Sequence, residues 1–317
     1  MMECPPSMSP SWQVFNIKLI INLGVKQFTG PEVYRFRVGA FECRALRDGT
    51  FTYPNPAALL FANAPRERLR EALRGHGVRL EGWGEWVSPY TCLMINTGRH
   101  RVLVDTGAGN LGPDTGRLLQ NLQAEGISAE EIDTVVITHG HPDHIGGNIV
   151  KGRPAFPRAH FVMWEREWDF WTSEPSLKEL KVEEHVKKIL VTSAVNNLLP
   201  IRGQLQLLDH EGEIMPGIHA VAAPGHTPGH IALDVSSGGE RMLVVSDVII
   251  HPLHLERPDW YSAVDLYPAQ AIATRRRLLD RASGEEMLVA AFHFPFPGLG
   301  RIVQEEGSWR WQPISRP

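Results

Sequence analysis

Within one short stretch, Thr138-His139-Gly140-His141-Pro142-Asp143-His144, the chain carries four side chains that bind metal strongly. No fold needs such a cluster for packing. Neutral imidazole and carboxylate suit zinc or a similar divalent ion. His139 and His141 alternate along an extended segment and can point the same way, while Asp143 and His144 fall on the next turn and can face a second ion. The chemistry of such a corner is that of a two-metal centre. Two divalent ions roughly 3.5–4 Å apart share a water, lower its pKa toward neutrality and polarise a carbonyl or phosphoryl oxygen. Hydrolysis is the natural reaction, with no serine or cysteine nucleophile required.

The neighbouring elements must hold this corner. Ile132 to Thr138 is an apolar, β-branched run of strand length, and Pro142-Asp143 marks a helix start with proline in the first turn. Gly140 is expected to let the backbone bend between them. Three further strand ends deliver polar residues: His226 among glycines and prolines after Ile218 to Ala223, Asp247 closing Met242 to Asp247, and His293 after Leu288 to Ala291. Singly each is a turn or a core histidine. Jointly, after the first motif, they read as ligands. Asp105 ends another apolar run and is a candidate to accept the outer ring N–H of a metal-bound histidine, the alternative being an aspartate that only shapes a turn.

The chain has 317 residues, 43% hydrophobic and 21% charged, a normal globular balance. A formal net charge of −4 leaves no basic footprint for nucleic acid or an anionic membrane. Cys4, Cys43 and Cys92 are scattered, which argues against a disulfide framework and a thiolate zinc site, and fits a cytoplasmic protein. Residues 1–32 are expected to be an N-terminal extension, either an arm on a partner subunit in a possible homodimer or a loose tail. The apolar run Val14 to Leu23 is broken by Asn16, Lys18 and Asn22, so it is neither a signal peptide nor a membrane span.

Residues 33–317 read as one domain. From Val33 a β pattern alternates, with Gly39 and Asp48-Gly49 as turn signals. Pro65 to Arg74 reads as a short helix. Trp83 and Trp86 either line a substrate mouth or anchor packing. About 165–199 a helical insertion is expected, with Trp164, Trp168 and Trp171 as a stripe and Val182, Val186 and Ile189 on one face. Strands then return to the end of the domain. Trp260, Tyr261 and Phe294 flank the last two ligands in sequence and are candidates for apolar pocket walls over the metals.

At this point the chain resembles the metallo-β-lactamase-fold superfamily of dinuclear hydrolases, over roughly residues 33 to 305. The family order of an aspartate in DTG, HxHxDH, a histidine, a bridging aspartate and a final histidine matches Asp105, His139 to His144, His226, Asp247 and His293. The resemblance implies that one ion takes His139, His141 and His226, the other Asp143, His144 and His293, and that Asp247 bridges them. It implies two ions per chain, Zn2+ first, with Mn, Co or Fe as alternatives. Asp143 and Asp247 are then the catalytic carboxylates. The implied fold is α/β (α+β), a four-layer αββα sandwich.

Departures from the family patterns narrow the activity. The bridging aspartate argues against β-lactamases, the short segment after His293 against glyoxalase II, and His141 against flavodiiron oxidoreductases. The chain is most similar to the branch of N-acyl-homoserine lactonases and methyl-parathion-hydrolase-like enzymes, which implies a small hydrophobic lactone, carboxylic ester or phosphotriester as substrate. Small lactonases carry a tyrosine three residues after the bridging aspartate. Here Ile250 stands there, and Tyr261 or His251 are the nearby substitutes. Two other readings stay open: a metal-binding or signalling protein with little turnover, and a thioesterase or glyoxalase II-like hydrolase.

Overall fold

The computed structural model describes residues 32–174, 177, 180 and 182–314. The expected extension over residues 1–32 therefore lies outside the described residues apart from Glu32.

Two seven-stranded sheets make the framework. The first is built from β1 (Val33–Val38), β2 (Phe41–Pro54), β3 (Glu85–Asn96), β4 (Arg101–Val104) and β5 (Thr134–Val136). After a small hairpin of β6 (Ile149–Val150) and β7 (Arg153–Pro154), β8 (His160–Trp164) and β9 (Leu205–Leu208) complete it, in the order β1-β2-β3-β4-β5-β8-β9. The second runs in chain order: β10 (Gly212–Met215), β11 (Ile218–Ala222), β12 (Ile231–Ser237), β13 (Glu240–Val244), β14 (Leu288–Ala290), β15 (Leu299–Glu305) and β16 (Ser308–Pro313). Hydrophobic alternation decides which faces meet. Val102, Val104, Val136 and Val162 of the first sheet share a buried cluster with Leu233, Val235, Met242 and Val244 of the second. Each outer face packs under helix: the first against Leu118–Ala124, Glu165–Thr172 and Glu184–Asn197, the second against Pro268–Gly284. The four layers are thus helix, sheet, sheet, helix, the expected αββα sandwich.

Parallel pairing matters for the site. β4, β5, β8 and β9 are mutually parallel, as are β13 and β14. Parallel neighbours align their carboxyl ends, so the loops after β4 and β5, and those after β13 and β14, open at the same edge. Asp105, the His139 motif, Asp247 and His293 all follow these strands.

Two local expectations are corrected. Asp48-Gly49 is no turn; it sits within β2 as a bulge, where the register against β3 slips between Arg47 and Gly49. The cause is the Asp48 carboxylate, fully buried and accepting the backbone N–H groups of Ala108, Gly116 and Leu118. A bulge turns one side chain out of the pleat, and here it fixes the loop that follows Asp105. In the insertion, the inward face of helix Glu184–Asn197 is Leu190, Val191 and Ala194, while Ile189 is half exposed. Val182 packs against the same cluster as expected, but Val186 and Ile189 do not belong to the inward stripe of the helix, and only part of the segment 177–199 lies within the described residues.

Candidate metal centre

The seven residues expected as ligands converge, all of them buried. His139 Nε2, His141 Nδ1 and His226 Nε2 face one another, His141 lying 3.1 Å from the first and 2.9 Å from the second. Asp247 Oδ2 stands 3.4 Å from His226 Nε2 and 3.8 Å from His139 Nε2. Asp143, His144 and His293 form the second group, with His293 Nε2 at 3.5 Å from Asp143 Oδ2 and His144 Nε2 at 3.8 Å from it. Asp247 also reaches this group: Oδ2 is 3.1 Å from His293 Nε2 and Oδ1 is 3.2 Å from His144 Nε2. One carboxylate therefore touches both clusters.

The donor set fits divalent metal on grounds of its own. Among the described residues, His144 Nε2 and Asp247 Oδ1 are buried without a hydrogen-bond partner. Leaving such atoms unpaired costs about 1–3 kcal/mol each, more for a charged group. Three ring nitrogens crowd within hydrogen-bond reach of one another, and a neutral imidazole has only one N–H, which for His226 is directed at Asp265. A cation resolves both problems.

The outer nitrogens show where those protons go. His144 Nδ1 lies 2.8 Å from Asp105 Oδ2, His226 Nδ1 2.8 Å from Asp265 Oδ1 and His293 Nδ1 2.9 Å from Ser88 Oγ. The Asp105 and Asp265 carboxylates can only accept, so they place the proton of His144 and His226 on Nδ1 and leave Nε2 facing the cluster, while the Ser88 hydroxyl holds the His293 ring in position. Asp105 also accepts the backbone N–H and hydroxyl of Thr138. It adopts φ 58, and Ser246, just before Asp247, adopts φ 46. Left-handed backbone at two non-glycine residues is strain held by the surrounding packing, and both sit where a strand end is turned toward the centre.

Electrostatics cut across the two groups: burial opposes charge on His226, but its hydrogen bond to Asp265 and the Asp247 carboxylate prevail and raise it. Burial holds His139 and His141 well below the ordinary imidazole range, so both are neutral and ready to coordinate. Burial also opposes charge on His144, but the carboxylates of Asp247, Asp143 and Asp105 prevail and raise it. Asp247 is held well below the usual carboxylate range: its burial works the other way, and the His293 and His144 rings outweigh it.

Three contributors escaped the sequence reading. Asp265 has no motif around it, and only the Ser262 N–H bound by its Oδ2 marks the tight turn that aims it. Glu167, fully buried, accepts Gly140 N–H and Trp171 Nε1–H on one oxygen and Thr227 Oγ–H and Gly229 N–H on the other. It clips the first motif to the His226 loop. Ser88, with no sequence signal of its own, faces His293 from β3. Gly140 serves a different purpose from the expected bend: a Cβ there would lie 2.3 Å from Trp171, whose ring also packs edge-on against His141. Its need is close approach.

The aromatic walls fall differently from expectation. Phe294 is fully buried with its ring against Trp311, in the cluster under the outer helix. Trp260 is buried against Phe61. Both have the surroundings of core residues, whereas Trp86 lies with its ring centroid 6.0 Å from His293. Tyr261 is half-buried, its backbone N–H bound to Asn63 Oδ1. His251 sits among Phe61, Trp83 and Trp86.

Comparison with known proteins gives the lineage. A search of solved structures finds AidC, a dizinc quorum-quenching lactonase in complex with a homoserine product, at TM-score 0.83 and 28% identity, covering 90% of this chain and 98% of that one. Hydrolase AbOPH of the beta lactamase superfamily superposes at TM-score 0.81 with 26% identity, over 90% and 98% of the two chains. Among curated proteins, an N-acyl homoserine lactonase of Bacillus thuringiensis is 21% identical over 244 residues, 70% of this chain and 84% of the relative. An N-acyl homoserine lactonase of a Bacillus species matches over 179 residues at 23% identity, and there the chain spans 63% of the relative's length. The family model of the metallo-beta-lactamase superfamily matches residues 86–293, from the tryptophan beside the centre to its last histidine, and the chain belongs to that superfamily.

Proposed function

We propose that this protein is a dinuclear hydrolase of small, hydrophobic ester-type substrates, with lactones as the leading class and zinc as the metal. The observation that carries the reading is Asp247, whose two carboxylate oxygens face both histidine clusters at 3.1 to 3.8 Å. The likeness to a dizinc lactonase at 28% identity supports it. His139, His141 and His226 would hold one ion and Asp143, His144 and His293 the other, with Asp247 between them.

Two bound divalent ions supply a water of lowered pKa and a Lewis acid for the ester oxygen. The chain's own residues do the rest. Asp105, Asp265 and Ser88 hold the rings of His144, His226 and His293 in place through their outer nitrogens. Asp143, beside His293, is placed to take a proton from the attacking water or to return it to the leaving oxygen. The apolar rings of Trp86, Trp83 and Phe61 near His251 exclude water from the approach and suit an acyl chain.

A panel assay tests the reading. Zinc-, manganese- and cobalt-loaded protein is offered N-acyl lactones, aryl esters and phosphotriesters, with loss of turnover on chelation as the control. Turnover of lactones above the other classes is expected; a fully loaded protein inert on all three defeats the proposal and favours a binding role for the same centre.

A further inference from the structure

We propose that Tyr53, held in place by Tyr90, is the hydroxyl donor that hydrogen-bonds the substrate's scissile oxygen at the metal centre. The inference rests on the hydrolase reading above and names a residue for it.

The geometry begins with register. β2 and β3 pair antiparallel with Phe51 opposite Ser88, Tyr53 opposite Trp86 and Gly49 opposite Tyr90. Directly paired residues project from the same face of a sheet. Ser88 Oγ binds His293 Nδ1, so the face that carries Tyr53, Trp86 and Tyr90 is the one turned to the metal ligands. The rings agree: Tyr90 lies edge-on to His293 at 5.5 Å between centroids, and Tyr53 stacks on Trp86, which itself lies 6.0 Å from His293.

The two phenols meet at 2.6 Å between hydroxyl oxygens. One donates and the other keeps a free proton. Tyr90 is fully buried and Tyr53 is its hydrogen-bond partner among the described residues, whereas Tyr53 is half-buried. Were Tyr90 the acceptor, its own proton would be buried without a partner, a costly arrangement. Tyr90 therefore donates, and Tyr53 retains an O–H free on the sheet face turned to the ligands. Burial and the Asp143 carboxylate raise the Tyr53 phenol above its ordinary range, so it stays protonated at working pH.

The test uses metal-loaded full-length protein and the variants Tyr53→Phe, Tyr90→Phe and the double variant. Calorimetric binding of dimethyl phosphate, an anion with acceptor oxygens at a tetrahedral centre, is read beside hydrolysis of an aryl ester. Tyr53→Phe is expected to weaken the anion about tenfold, the scale of a lost hydrogen bond to a charged group, and to lower kcat with metal content unchanged. Tyr90→Phe should lose part of the same effect, and the double variant should match Tyr53→Phe, because Tyr90 acts through Tyr53. Binding indifferent to Tyr53, in variants that stay folded and fully loaded, overturns the assignment whatever the turnover. Binding that depends on Tyr53 in a protein that hydrolyses no ester supports the donor and defeats the hydrolase reading.

Discussion

His226 Nδ1 lies 2.8 Å from Asp265 Oδ1, and the same carboxylate holds Ser262 N–H on its other oxygen, 3.6 Å from Arg275 Nη2. A metal-facing histidine is thus anchored to the loop and helix on its far side. Arg275, fully buried, extends the anchor by donating to the carbonyls of Val248, Pro258 and Trp260. Asp265 is held below the usual carboxylate range: burial opposes this, and the His226 hydrogen bond and charge prevail.

Asp265→Asn should act on the metal and on the fold. The amide keeps the size but loses the charge that fixes the His226 tautomer and that faces the buried Arg275 guanidinium. Metal affinity is expected to fall about 10–100-fold, and the chelated protein should unfold at a lower temperature than chelated wild type, because a buried cation loses its counter-charge. Competition with a chromogenic chelator reads it. Unchanged affinity would remove Asp265 from the centre's support.

Much of this centre was legible because its ligands sit in local patterns. HxHxDH packs four donors into six residues, and each remaining ligand closes an apolar strand. The supports were not legible. Asp265 reaches His226 across 39 residues and Ser88 reaches His293 across 205, and nothing near either residue in the chain signals its partner. Asp48-Gly49 misled for a related reason: local turn chemistry was outvoted by three N–H groups from residues 108–118, which a sequence window around position 48 does not contain. The αββα layering was readable from apolar strand periodicity, but the face of helix Glu184–Asn197 was not, since which stripe turns inward depends on what packs beneath it.

Asp247→Asn tests the bridge. The amide is isosteric and cannot carry the charge that holds two dications together. Occupancy of at least one site should fall and turnover should drop by orders of magnitude, while the sandwich core, which does not use that carboxylate, keeps its stability. Elemental analysis and kinetics on the same preparation decide. Wild-type metal content together with wild-type turnover would falsify the bridging role.

Glu167→Gln tests the clip between the two ligand loops. All four contacts on this carboxylate are donors. A glutamine places an NH2 against two of them, so one pair of hydrogen bonds becomes a donor–donor clash. The cost is about 1–3 kcal/mol per unpaired buried group. Both consequences are expected: a lower unfolding temperature, and weaker metal at the cluster of His139, His141 and His226. A variant with wild-type stability and wild-type metal affinity would show that the loops hold their positions without it.

Acid sensitivity should come in part from histidines that are not ligands. His254 is fully buried with Nε2 donating to the Leu60 carbonyl, and burial followed by the Arg275 charge keeps it well below its ordinary 6.5. His230, whose Nε2 accepts the Asp247 N–H, is lowered by burial to about 3. Both rings stay neutral in the folded protein at pH values where the unfolded chain protonates them. The unfolded state gains protons as pH falls through about 6.5, so the stability present above that value is lost in acid. For one such ring the loss between pH 7.5 and 5.5 is about 1.4 kcal/mol, one pKa unit's worth. His254→Gln keeps a donor for Leu60 and removes the titrating group. Its unfolding temperature should therefore fall less than that of wild type over this interval, by about 3 °C. The comparison cancels the contribution of every other histidine, and identical pH slopes for the two proteins would show that His254 is not held neutral by its burial.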